Sequence, residues 1–263
     1  MPGKTQEHSD RHPGPASWRR IGRKRTTALS VIRAERKDRM PEPEGLKEEV
    51  VVDDRGKVRE RKHSLGGKLE GEYLSYFSNG QVMVQLFFRD GRKEGPAVSY
   101  YRDGVVRERA TFRNGKLDGE YVNFYENGDP REIEMRRNGK LDGRYVFYFR
   151  DGRIRDEEHF RDGKFDGPYR SYFKNGRIKE EGRFLNNRRE GEYSAYYRSG
   201  SLRERATYRN GRLLGPFETF PDRGGESGGE GSDGPSAGGD DQAEEAGRAA
   251  DNLLKDLERL GKP

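Results

Sequence analysis

The chain has 263 residues, of which 29% are hydrophobic and 38% charged, with a formal net charge of +6. So little apolar material excludes a thick globular core, and no run approaches the roughly 18 apolar residues of a membrane-spanning helix. With no cysteine there is neither a disulfide nor a thiolate metal site, which fits a cytoplasmic protein.

Residues 1–45 read as a disordered basic tail. Residues 1–40 hold 11 Lys/Arg against 4 Asp/Glu, and no apolar stretch follows the early charges as a secretory signal requires. Met40 offers an alternative start of translation. Residues 46–221 form a repeat domain. Seven glycines recur every 24 residues: Gly71, Gly95, Gly119, Gly143, Gly167, Gly191 and Gly215. A fixed period of this length denotes units that contact only their neighbours. Gly56 and Gly67 are in phase with the later units and mark a partial first one. Residues 222–239, rich in Gly, Ser and Asp, read as a flexible linker. In residues 240–261, Ala246, Ala250, Leu253, Leu257 and Leu260 recur at helical spacing, with Gly261 as a stop signal. One amphipathic helix is expected there.

The unit from Gly95 to Asp118 contains two turn dipeptides, Asp103-Gly104 and Asn114-Gly115. Both suggest type I′ turns joining antiparallel strands. Two-residue loops then set Tyr101 against Val106, Tyr100 against Arg107, Ser99 against Glu108 and Gly95 against Phe112. The second loop sets Phe112 against Leu117. Parity places Gly95, Phe112 and Leu117 on one face, expected to be the packed one, with each repeat glycine bare beneath an aromatic ring. The expected fold is all-β: an elongated, single-layer antiparallel meander of about fourteen strands. The third unit departs most, with Pro130 and Arg136 where others carry Val/Ile/Leu and an aromatic. Asn187 replaces a turn glycine.

Three columns of side chains follow from this register. Tyr121, Tyr145, Tyr169 and Tyr193 lie two residues after their glycines and are candidates for contact with a partner protein. Glu108, Glu132, Asp156, Glu180 and Glu204 recur on the packed face, expected as partners of nearby hydroxyls and arginines. On the opposite face Tyr100, Phe124, Tyr148, Tyr172 and Tyr196 sit across from Arg107, Arg131, Arg155, Lys179 and Arg203. This is a ladder of aromatic–cation pairs.

The phrase G-x-Y-x-x-Y/F-Y/F-x-N/D-G, followed by an aromatic and then N/D-G-K-L/F-D/E-G, resembles the MORN-repeat family over about residues 56–220. The resemblance is to the bacterial variant labelled as the antitoxin component of a YwqK-type toxin–antitoxin system. It differs from the eukaryotic pattern, which uses more Trp; the one tryptophan here is Trp18, in the basic tail. The resemblance implies a non-enzymatic interaction scaffold, and the antitoxin label implies neutralising a partner protein.

The four histidines, His8, His12, His63 and His159, are scattered, and no metalloprotease, nucleophile-elbow or phosphate-loop motif occurs. No catalytic residue, metal or cofactor is expected. The expected function is therefore binding of a partner protein across a long curved sheet, with self-association through the C-terminal helix as a further route. The alternative is single-stranded nucleic acid, stacked on the aromatic–Arg ladder and drawn by the basic tail. The near balance of acids and bases in the repeats weighs against it.

Overall fold

The computed structural model describes residues 44–223. The expected linker and helix, and all but the last two residues of the N-terminal tail, lie outside that range or at its edge. Among the described residues every regular element is a strand, and twenty strands join into one antiparallel sheet.

The unit opening at Gly95 shows the rule. Gly95–Tyr100 runs to a first turn and Val106–Arg113 returns. After a second turn the short strand Lys116–Leu117 leads into Gly119–Phe124, which begins the next unit. Gly95 pairs with Phe112, Ser99 with Glu108 and Phe112 with Leu117, as parity requires.

The first turn corrects the sequence reading. Asn114 and Gly115 both have positive φ, 51° and 81°, as a type I′ turn needs. At the first turn only Gly104 does, at 86°. The Tyr101 amide donates to the Val105 carbonyl at 2.8 Å and the Gly104 amide to the Tyr101 carbonyl at 2.9 Å. Three residues therefore form the loop, a tight turn followed by a left-handed glycine. The Asp103 carboxylate caps it by accepting the Val105 amide at 3.1 Å. Asn79, Asn127, Asp151, Asn175 and Ser199 do the same in their units. Tyr101 thus faces Val105, and Tyr100 pairs with Val106 instead of Arg107. A bulge at Arg107 absorbs the offset, so the register from Ser99 onward is the expected one.

The repeat glycines lie opposite aromatic residues as expected, Gly95 against Phe112 and Gly143 against Phe160, and they carry a further requirement. All seven have positive φ, a conformation that other residues rarely adopt. At Gly143 and Gly167 an added Cβ would also lie 2.9 Å from Met135 Cβ and 2.7 Å from His159 Cβ. The residue before the glycine clamps the next unit. The Glu94 carboxylate accepts the Asn114 amide at 2.7 Å, and Glu70, Asp118, Asp142 and Glu190 repeat the bond to Asp90, Asn138, Asp162 and Asn210.

The packed face is the one expected. It holds two apolar clusters. One runs from Tyr73 and Phe88 through Phe112 and Leu117 to Tyr121. The other runs from Leu141 and Tyr145 through Phe160, Phe165 and Phe184 to Tyr193. Between them the third unit places Glu132, Glu134 and Arg136, all buried. Pro130 opens its strand opposite Phe124, where a missing N–H is tolerated. Asn187 takes φ 65° in its turn, and its side chain accepts the Phe165 amide at 2.7 Å.

Candidate functional site

The four candidate tyrosines, Tyr121, Tyr145, Tyr169 and Tyr193, do form a column on one face. They are between 1% and 9% exposed. Their rings are core. Tyr145 meets Phe160 edge-on at 6.0 Å, Tyr169 lies 5.0 Å from Phe184 and Tyr193 lies 6.3 Å from Tyr208. Gly182 makes room for Tyr169, since a Cβ there would lie 2.8 Å from its ring. The Tyr121 and Tyr193 hydroxyls turn to the acid column, while that of Tyr169 is buried without a hydrogen-bond partner. Tyr121 donates to Glu108 at 3.3 Å, and Tyr193 to Glu180 and Glu204 at 3.3 and 3.4 Å. Burial pushes these phenols well above their usual range, with the neighbouring carboxylates adding to the effect.

The acids take the partners expected of them. Glu108 accepts from the Ser99 hydroxyl at 2.7 Å and pairs with Arg107 at 3.2 Å. Arg155 pairs with Asp156, and Arg203 with Glu204 at 3.1 Å. The centre of the sheet is different. Glu132 and Glu158 are buried against Glu134 and Asp156 around Tyr145. Burial first, then the adjacent carboxylates, pushes each up to about 8. Glu134 is compensated by Arg136 at 3.1 Å, which also donates to the Gly139 carbonyl at 3.0 Å. Among the described residues no group of three or more His, Cys, Asp or Glu is arranged to hold a metal ion.

The aromatic–cation ladder is not built as the simple register implies. Tyr100, Phe124, Tyr148, Tyr172 and Tyr196 do form a column on the other face. Their cross-strand partners are Val106, Pro130, Ile154, Ile178 and Leu202. The bulge removes Arg107, Arg131, Arg155, Lys179 and Arg203 from those positions. Arg107, Arg155 and Arg203 instead reach the acid column. Arg131 and Arg155 stack on the Phe147 ring at 5.5 and 3.9 Å. The bulge left no mark in the strand residues themselves, because its cause is the three-residue loop.

Sequence reasoning missed the ion pairs on that face. Arg144–Glu157 at 2.8 Å, Arg170–Glu181 at 2.9 Å and Arg205–Glu218 at 2.7 Å each bridge neighbouring strands. Tyr196 joins the second of these, its hydroxyl donating to Glu181 at 3.0 Å. Arg170 and Arg205 are exposed, and Phe124, Tyr172 and Tyr196 are half-buried. Arg170 lies directly opposite Glu181 and Arg205 opposite Glu218, while Glu157 is offset by two residues from the position facing Arg144.

A comparison with curated proteins finds no match. Among solved structures, the chain is similar to a GtfA/B complex bound to UDP and GlcNAc at 10% identity, over 57% of this chain and 26% of that one. The chain thus spans about a quarter of that protein's length, and at a TM-score of 0.19 the likeness bears on neither fold nor function. A family model does match. Residues 69–90, 93–114, 117–138, 165–186 and 189–210 each fit the MORN repeat variant. The unmatched stretch between them folds with the same pairing. The sequence period and the two turns of each unit agree with this: five segments of the sheet are similar to the MORN repeat variant.

Proposed function

We propose that the chain is a non-enzymatic repeat scaffold that binds a partner protein across its sheet, through the face opposite the tyrosine core. The observation that carries this reading is the repeated, charge-balanced surface there. Phe124, Tyr172 and Tyr196 recur at one strand position, bordered by exposed Arg–Glu pairs. Aromatic rings beside arginines are the groups that dominate protein interfaces. Each cation in these pairs is already matched by a carboxylate, which weakens attraction for a phosphate backbone. The antitoxin-like role implied by the family resemblance is one form of this reading, with a toxin protein as the partner whose surface the sheet would cover.

The test uses the full chain as bait, alone and as Tyr172→Ala/Tyr196→Ala. A protein captured by the first and lost from the second, and then rebound as purified material, supports the scaffold reading. Capture of single-stranded RNA or DNA that falls by orders of magnitude between 50 and 200 mM salt overturns it.

A further inference from the structure

The last unit ends differently from the rest. Leu213, Leu214 and Phe217 are 44%, 41% and 46% exposed. Each stands at a repeat position that is otherwise covered or polar. Leu213 follows Leu117, Leu141 and Phe165, all buried. Phe217 follows the buried tyrosines Tyr121, Tyr145, Tyr169 and Tyr193. Leu214 stands where Glu70, Glu94, Asp118, Asp142 and Glu190 accept the turn amide of the next unit. Among the described residues no next unit offers that amide, and a leucine stands in place of the acid. Beyond this patch the strand Glu218–Thr219 pairs only with Leu202–Arg209 among the described strands. The end of the sheet is therefore an apolar row beside an open backbone edge, flanked by exposed Arg209 and Arg212.

We infer that this end is covered by the chain's own residues 240–261, which lie outside the described range. Three observations select that occupant. First, the described chain ends at Arg223 on the same terminal hairpin, one strand length from Leu213: Phe220 still bonds to Arg203, and Asp222 to Ser199 and Ser201, while Leu213 pairs with Tyr208 at the other end. A Gly/Ser-rich stretch, 224–239, then gives a root-mean-square reach of roughly 20–25 Å, which holds the segment close to this end. Second, Leu253, Leu257 and Leu260 recur in the sequence at helical spacing, an apolar stripe too narrow to be stable alone. Third, residues 240–261 carry seven acids against three bases, Arg248, Lys255 and Arg259. That charge complements Arg209 and Arg212. Docking would extend the Tyr193–Tyr208 end of the core and shield the terminal strand from edge-to-edge pairing. It does not depend on which partner the other face binds.

The protein contains no cysteine, so a spin-label pair can be introduced without background as Thr207→Cys/Asn252→Cys in the full chain. The expected result is a narrow distance distribution between the labels by pulsed electron resonance, unchanged when the sample is diluted with unlabelled protein. A broad distribution, as for a free tether, overturns the inference. So does a narrow one that vanishes on dilution, which places a second copy on the patch. Amide exchange gives an independent readout. Leu253→Ser/Leu257→Ser/Leu260→Ser in the full chain should raise exchange over residues 213–220 by about tenfold or more while strands around Phe112 and Phe160 keep their protection. Equal exchange in both proteins also overturns it.

Discussion

Phe160 illustrates how a single-layer sheet holds a residue in place. It is buried by Tyr145 on one side and by Phe165, 4.4 Å away, on the other. Phe160→Ala should cost about 3 kcal/mol, the lower end for a buried aromatic, because a thin sheet relaxes around the gap. Tyr196→Ala, on the half-buried face, should cost less than half as much in the same urea titration. A larger loss at Tyr196 would mean that the faces carry the opposite roles. Glu132 and Glu158 make a prediction of a different kind. Each is held near 8 in the folded state against an ordinary 4.5. Between those values the folded chain binds more protons than the unfolded one, so stability is full below about pH 4.5 and falls as pH rises toward 8. Thermal midpoints should drop across that window. Glu132→Gln/Glu158→Gln should flatten the profile and raise the midpoint at pH 8, as stability there increases by on the order of a few kcal/mol in total. A midpoint that rises from pH 5 to 8 would contradict the burial of these acids in uncharged form. The acid column itself was legible in the sequence, since its period is that of the repeat. Which members are strained was not. That depends on how deeply the sheet buries each one and on the carboxylates left beside it, such as Glu134 on the same strand as Glu132.

At the scale of the hairpin, one dipeptide serves two turns. Asn/Asp-Gly closes the second turn with both residues left-handed, and the first with the glycine alone. In the first, the Asn, Asp or Ser side chain bonds its own backbone two residues on. Sequence rules for two-residue loops see the same letters in both places, so the turn type, the bulge and the partners of Tyr100 were all misassigned together. The two errors cancel at Ser99, which is why the core was read correctly. The junction between hairpins is as constrained as the turns. Gly143→Ala should destabilise by about 2 kcal/mol or more, since φ is 127° and the new methyl meets Met135. Gly95→Ala, with nothing within 4 Å of an added Cβ, carries only the backbone term. Denaturant midpoints of the two variants should therefore differ, with Gly143→Ala lower. Equal midpoints would mean that close approach contributes nothing at Gly143.

Over the whole sheet, the third unit divides the core. The pair Glu134–Arg136 takes the positions that Ala206 and Tyr208 hold in the Tyr193 unit. Replacing a buried ion pair with fitting apolar side chains is often stabilising by about 1–4 kcal/mol. Glu134→Ala/Arg136→Tyr should thus raise the midpoint by joining the two apolar clusters. It should also lower the pKa of Glu132, because a neighbouring carboxylate is gone. Either single substitution should be destabilising, since it leaves one buried charge unmatched. A double variant less stable than both singles would show that the ion pair does more than fill space.

The sequence by itself determined the 24-residue unit, the strand content, the packed face and the acid column. Each follows from a period that local chemistry repeats without regard to its surroundings. Tertiary structure decided the rest. The tyrosines two residues after each glycine read equally well as surface or core, since a ring on a one-layer sheet is buried only if the next unit's rings lie against it. Cations of the expected ladder left their partners because a loop one residue longer than its dipeptide suggests is absorbed by a bulge at their own positions, such as Arg107. Among the described residues the end of the sheet is apolar and uncovered at Leu213, Leu214 and Phe217, because a repeat buries its side chains through the neighbour that comes after it, and no further repeat follows there.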